Sequence, residues 1–183
     1  MINRVSHLAR RFFSSLWPGG PSVADTDWVA QVLTSSEFAA WREMPAVDRR
    51  ESVHVARRLV ASLAGGPYAD DQRYLAAALL HDVGKIDCRL GPIGRALATM
   101  AGGIAGHEMA PAWQDRRGIA RRFGLYLRHD EIGAVRLQMA GARAEAVEWA
   151  GAHHHPERWD TLRLPRTVAE ALARADGERP PET

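Results

Sequence analysis

The chain has 183 residues, of which 46% are hydrophobic and 25% are charged, and its formal net charge is only +2. These values are ordinary for a globular protein, and the length suffices for one compact domain with a sizeable core. The single cysteine, Cys88, excludes an intrachain disulfide and any zinc site built from several thiolates.

The basic character of the chain is spread out rather than concentrated. Its pI near 9.1 comes from an excess of arginine along the whole sequence. No basic motif interleaved with aromatic residues occurs, so the sequence does not support nucleic acid as a partner. The lone cysteine fits a reducing compartment, and we expect a cytoplasmic protein.

Two segments bear on membrane contact. The uncharged stretch 96–106 has about half the length that a membrane-spanning helix needs, so no transmembrane segment is expected. In segment 1–17, one helical face collects Val5, Leu8, Phe12 and Leu16. A basic amphipathic helix of this kind either packs on its own domain, which we favour, or rests on an anionic membrane surface.

Apolar residues recur with a helical period in the first half of the chain. Asp25 or Asp27 is expected to cap a helix that runs to about residue 33, and Ser36 to cap the next, which ends before Pro45. A longer helix is predicted over 47–63. Asp70 or Asp71 should open the apolar helix QRYLAAALLHD, which Gly84 ends.

The second half is also predicted to be helical. Helices are expected over 92–106, 116–127, 131–140, 142–153 and 166–176, with HHHPERWDTLRLP as a loop. The sequence therefore predicts an all-α fold, a single bundle of about seven to nine helices. Residues 1–44 are interpreted as a helical extension, 45–178 as the domain and 179–183 as a disordered tail.

Histidines and carboxylates provide the candidate chemistry. His81 and Asp82 close an apolar helix, and a buried carboxylate needs a cation, an arginine or a metal ion as its partner. The other candidates are His54, His129, His153-His154-His155 and Asp176. Each alone has an ordinary structural explanation. Together, imidazoles and carboxylates on different helices are a typical ligand set for divalent Mn, Fe, Ni, Co or Zn.

In this pattern the chain resembles the HD-domain metal-dependent phosphohydrolase superfamily. His54 in ESVHVARRL, His81-Asp82 in ALLHDVGK and Asp176 in ALARADGE follow the family's order of His, His-Asp and Asp over residues 45–178. The resemblance implies an all-helical fold with the metal held between helices. It also implies that these four residues bind one divalent ion, with Mg as a further possibility.

Two further segments, LRHDEIGAVRL and AGAHHHPERW, resemble the additional histidine positions of binuclear members such as the HD-GYP group. The resemblance implies that His129, His153 and His154 bind a second ion and that Asp82 touches both ions. His153 and His154 are favoured over His155, which abuts Pro156. Because WDTLRLP stands where the GYP element would lie, specificity for cyclic di-GMP is not implied.

The expected function is hydrolysis of a small, nucleotide-like phosphate ester by a metal-activated hydroxide. Asp82 and Lys85 are the predicted catalytic residues, and Lys85, the single lysine of the chain, would bind the phosphate. A chance lysine at a helix end is the alternative. The competing functions are a non-catalytic regulator that binds metal or nucleotide, and a nucleic-acid-associated protein that uses Arg116, Arg117, Arg121, Arg122 and Arg128.

Overall fold

A computed structural model describes residues 19–105 and 110–177 of the chain. These residues form α-helices, two short 3₁₀ helices and no strand, which confirms the predicted all-α fold. Nine of the described α-helices have nine or more residues, within the predicted range. The predicted helix in 1–17 and tail 179–183 lie outside the described residues.

The first half of the fold contains four α-helices and one 3₁₀ helix. They are α1 (Val23–Val32), α2 (Ser35–Glu43), α3 (Ala46–Leu63), α4 (Gln72–Leu80) and the 3₁₀ helix Val83–Ile86. The capping residue of α4 is Asp71, as predicted. For α1 and α2 the predicted capping residues were wrong, because Ser22 and Thr34 accept the free amide hydrogen bonds.

The second half contains six α-helices and a second 3₁₀ helix. They are α5 (Pro92–Ala105), α6 (Ala110–Gln114), α7 (Gly118–Leu127), α8 (His129–Met139), α9 (Ala144–Ala152), the 3₁₀ helix Pro156–Thr161 and α10 (Arg166–Asp176). The sequence did not predict α6. The segment predicted as a loop after α9 contains the second 3₁₀ helix. No helix among the described residues is long and apolar enough to cross a membrane.

Helix α4 lies at the centre of the fold. Its residues from Tyr74 to Leu80 are all buried, and α3 and α9 pack against it, with further contacts from α1 and α2. A helix that is apolar all round is stable only when it is enclosed in this way. Its C-terminal end therefore delivers His81 and Asp82 into the interior of the protein.

The main hydrophobic core includes residues from both ends of the described chain. Val29 of α1 and Trp41 of α2 belong to the same cluster as Leu59 of α3 and Leu172 of α10. A smaller cluster of Cys88, Leu90, Ala98 and Leu125 lies where α5 meets α7. Residues 23–44 thus pack into the same core as the helices that carry the candidate ligands.

Glycine 84 allows an unusually close approach between the first 3₁₀ helix and α8. A Cβ atom at Gly84 would lie 1.9 Å from the carbonyl oxygen of His129 and 2.7 Å from the amide nitrogen of Gly133. Real Cβ atoms do not tolerate such distances, so only glycine fits here. This contact brings His129 next to the segment that carries Asp82.

Candidate metal centre

Three buried histidines lie at the ends of three helices. His81 follows the last residue of α4, His153 follows the last residue of α9, and His129 is the first residue of α8, just beyond the end of α7. Each is at most 5% exposed. The three helix ends therefore converge on one buried point.

The same local contact orients all three rings. The Nδ1 atoms of His81, His129 and His153 lie 2.9, 2.7 and 2.8 Å from the backbone carbonyl three residues earlier. Carbonyls in the last turn of a helix lack an intrahelical donor, and a carbonyl only accepts, so Nδ1 carries the proton. In a neutral ring this leaves the lone pair on Nε2.

These three Nε2 atoms are buried and have no hydrogen-bond partner in the described part of the chain. Unpartnered buried polar atoms are rare in folded proteins and call for an explanation. A histidine that donates from one ring nitrogen to a carbonyl and presents the other to a common point is the usual arrangement of a metal ligand.

Asp82 lies between the histidines, and its two oxygens face different neighbours. Its Oδ1 is 3.3 Å from Nε2 of His129 and 4.0 Å from Nε2 of His153. Its Oδ2 is 3.4 Å from Nε2 of His81 and 2.5 Å from Nζ of Lys85. One carboxylate thus has His81 and Lys85 on one side and two imidazoles on the other.

Each side of Asp82 has one further candidate ligand. Asp176 places Oδ1 at 3.6 Å from Nε2 of His81. His154, although exposed, offers a ring nitrogen that lies with those of His129 and His153 within 4.8 Å of one another. These three histidines could hold a metal ion.

His155 is directed elsewhere. Its Nε2 lies 2.9 Å from Oδ2 of Asp130, and its Nδ1 lies 3.2 Å from Oε1 of Glu157. Asp130 is buried, and its other oxygen accepts a hydrogen bond from the amide of Glu131. His155 and Asp130 therefore hold the loop after α9 against the start of α8.

His54 lies apart from this group in the described contacts. Its side chain is 54% exposed, and its Nδ1 is 3.8 Å from Glu51. Arg58, one turn later on α3, donates from Nε to the carbonyl of Ala175. His54 is therefore on the side of α3 that faces the end of α10, and its role as a ligand stays a prediction.

Burial lowers the pKa of two of these imidazoles. For His129 burial outweighs the attraction of Asp82. For His153 burial acts together with the neighbouring His154 and holds the pKa well below its usual value. Both rings are therefore neutral at pH 7, which is the form that binds metal.

His81 behaves in the opposite way. Burial disfavours its charged form, but the carboxylates of Asp82 and Asp176 outweigh burial and raise its pKa to about 9. Burial likewise opposes ionisation of Asp82, yet His81 and Lys85 hold its pKa well below the usual range. His81 is thus protonated at pH 7, and a divalent cation that binds it would displace that proton.

Lys85 is the cation that balances Asp82 in the metal-free protein. Burial disfavours its ammonium form, but Asp82 outweighs this effect and raises the pKa of Lys85, so the side chain stays charged. Its Nζ also lies 5.9 Å from the ring centroid of Tyr126. The sequence predicted a phosphate contact for Lys85 and missed the ion pair with Asp82, although their i, i+3 spacing could have indicated it.

Sequence reasoning also missed the carbonyl groups that orient the three rings. The signal was present, because each histidine directly follows, or nearly follows, the last apolar turn of a predicted helix. No protein-family model matches the chain, and comparisons with curated proteins and with solved structures find no match. The geometry alone shows an all-helical protein in its described residues, with a group of histidines that could hold a metal ion.

Proposed function

We propose that the protein is a metal-dependent phosphohydrolase of the HD-domain type that acts on a small, nucleotide-like phosphate ester. The observation that carries the proposal is that Asp82 faces His81 with one oxygen and His129 and His153 with the other, while the Nε2 atoms of these buried rings have no described hydrogen-bond partner. It supports the family resemblance, which assigns His81 and Asp82 to one ligand set and His129 and His153 to a second.

The ligand sets follow from which oxygen of Asp82 each residue faces. His81 and Asp176 share the Oδ2 side, where His54 is the predicted fourth ligand. His129, His153 and His154 share the Oδ1 side. A bound divalent ion would supply Lewis acidity and lower the pKa of a coordinated water. The imidazole-rich set favours Mn, Fe, Ni, Co or Zn.

Lys85 completes the proposed site. Its side chain is 15% exposed, more than that of Asp82, so it lies at the edge of the buried cluster. If a metal ion replaces it as the counter-charge of Asp82, the ammonium is released to contact a phosphate oxygen and to stabilise charge that develops there. A lysine ammonium contacts phosphate as a compact point charge.

A panel of phosphate mono- and diesters, assayed with each metal supplied separately, tests the proposal. We expect phosphate or nucleotide release by the wild type, and metal loss together with loss of turnover in Asp82→Ala. Turnover should fall by more than the roughly 10- to 100-fold that is typical when a residue that only hydrogen-bonds to a metal ligand is removed. Bound metal without turnover on any ester would instead favour the non-catalytic regulator.

The number of ions is tested by elemental analysis. If both sides of Asp82 bind metal, the wild type saturated under reducing conditions should hold about two ions per chain, and His129→Ala about one. A wild-type value near one would refute the two-ion arrangement while leaving a mononuclear hydrolase in place.

A further inference from the structure

A cavity lies near the candidate metal centre, and none of the candidate ligands lines it. Its volume is about 630 Å³, and its walls include Asp87 and Arg89, just beyond the first 3₁₀ helix, and Gly118, Arg121 and Arg122 of α7. Clefts of this size are typical of small-molecule sites. The question is therefore which chemical class of ligand the walls would accept.

Three arginines of the cavity wall lack a side-chain partner in the described part of the chain. The guanidinium groups of Arg89, Arg121 and Arg122 have no hydrogen bond or ion pair with any described residue, whereas those of Arg73, Arg95, Arg128, Arg136, Arg143 and Arg166 each pair with a carboxylate. Asp87, the acidic residue of the wall, is paired with Arg136 at 3.1 Å. Three arginines therefore line one cavity without an acidic partner in the described chain.

The backbone of the same walls adds further donors. Gly118 is the first residue of the ten-residue helix α7, and its preceding residue, Arg117, provides no side-chain hydrogen bond to cap the helix. The amide groups at such an end are free to bind an anion. Arg89 has a φ of 46°, a left-handed conformation that costs energy in a residue other than glycine and is often found at binding sites.

We propose that this cavity binds a small anion with two or more phosphate groups, such as a triphosphate, at a site separate from the metal centre. Guanidinium groups bind phosphate through paired hydrogen bonds, and three of them match a ligand with several anionic oxygens better than a single carboxylate. The wall 87–89 continues from the segment that carries Asp82 and Lys85, so a bound anion would adjoin the metal centre without entering it.

The test uses inorganic triphosphate as the probe and titration calorimetry in the presence of a chelator, so that no metal takes part. The double variant Arg121→Gln/Arg122→Gln should weaken binding at least about tenfold, because glutamine cannot replace the charge-assisted hydrogen bonds of a guanidinium. The matched control Arg42→Gln/Arg116→Gln removes the same charge from two arginines that, like Arg121 and Arg122, are exposed but that do not line the cavity. It should change the affinity less than about threefold.

Equal losses in the two double variants would indicate a diffuse basic surface and overturn the proposal, as would no binding by the wild type. Loss of binding in Asp82→Ala would place the anion at the metal centre and overturn it too. A nucleoside triphosphate run in parallel identifies the source, since tighter binding than inorganic triphosphate shows recognition of the nucleoside. Because every arm is free of metal, the result does not depend on the proposed hydrolase activity.

Discussion

Two buried carboxylates in this protein have opposite surroundings. Glu37 of α2 is fully buried and accepts hydrogen bonds from the amides of Thr34 and Arg143, at 2.9 Å each. The guanidinium of Arg143 adds contacts of 3.0 Å and 2.6 Å. Asp82 is also buried, but around it three imidazole nitrogens have no described hydrogen-bond partner.

The contrast separates a structural ion pair from a binding site. At Glu37 the chain itself satisfies the charge, and the contact joins α2 to the start of α9 across 106 residues of sequence. At Asp82 Lys85 balances the charge, but the neighbouring Nε2 atoms of His129 and His153 are acceptors without a described partner, which costs stability unless a ligand fills the site. The Glu37 pair therefore stabilises the fold, whereas the histidines beside Asp82 could hold a metal ion.

Removing the charge of Glu37 gives the largest expected change in stability. Glu37→Gln leaves the guanidinium of Arg143 without its partner in the interior, so unfolding should become easier by about 3–5 kcal/mol. The control Glu43→Gln, on the same helix, breaks an exposed ion pair with Arg136. It should cost less than about 1 kcal/mol. Urea denaturation at neutral pH measures both, and equal effects would contradict the contrast.

The same pair gives a pH dependence with a definite sign. Burial raises the pKa of Glu37, but the hydrogen bonds from Arg143 outweigh it and hold the pKa below its ordinary 4.5. The folded state therefore binds fewer protons than the unfolded state at acidic pH, so this stabilisation is present above about pH 4.5 and is lost below it. Glu37→Gln should lack this part of the acid sensitivity.

The sequence was sufficient for features that depend on local pattern. The 3.6-residue period of apolar residues located the main helices, and the run YLAAALL indicated the buried helix α4. Thr34 and Glu37 also form a capping box, with reciprocal side-chain and backbone hydrogen bonds. The Ser/Thr-x-x-Glu pattern could have revealed it, but Ser36 was the predicted cap.

Long-range pairings could not be predicted in the same way. Nothing near Glu37 in the sequence indicates that Arg143 is its partner, and nothing near Asp48 indicates Arg95. Each pair forms only when distant helices pack. The candidate ligands were found because they fit a known pattern. Which oxygen of Asp82 each histidine faces depends on the packing of helix ends, and no local rule specifies it.

Lys85→Ala sharpens the contrast, since Lys85 is the partner of Asp82 that we propose to be exchangeable. Metal content should stay unchanged, while turnover of the best ester should fall on the order of 10²-fold, the usual cost of losing one transition-state donor. Lys85→Arg should not restore the rate, because the guanidinium is larger and planar. An unchanged rate in Lys85→Ala would show that the lysine is incidental.

Gly84→Ala tests whether the close backbone packing at Gly84 is needed to place His129 beside Asp82. The added methyl group would collide with the carbonyl of His129, so the start of α8 must move. We expect a loss of about 1–3 kcal/mol in unfolding free energy, together with reduced metal content. Gly91→Ala is the matched control, because a Cβ there meets nothing within 4 Å. If both variants keep full metal content, the close approach is not needed to place His129.

His153→Leu should have the smallest effect, and it probes the cost of leaving the site open. In metal-free protein at pH 7.5 the unfolding free energy should change by less than about 1 kcal/mol, since a lost hydrogen bond is offset by removal of an unpartnered polar atom. The pKa of His153 is held well below its ordinary 6.5, so the ring stays neutral when folded and takes up a proton when unfolded. The unfolded state then binds more protons as the pH falls, and wild-type stability decreases below pH 6.5.

The variant lacks this proton uptake, so its relative stability should increase by up to about 1.4 kcal/mol per pH unit below that point. Denaturation with a chelator at pH 7.5 and 5.5 measures the difference. A loss of about 3 kcal/mol or more at pH 7.5 would mean that Nε2 of His153 already has a partner in the metal-free chain. The Asp82 cluster would then be a closed structural network like that of Glu37, and the reason for expecting an ion there would disappear.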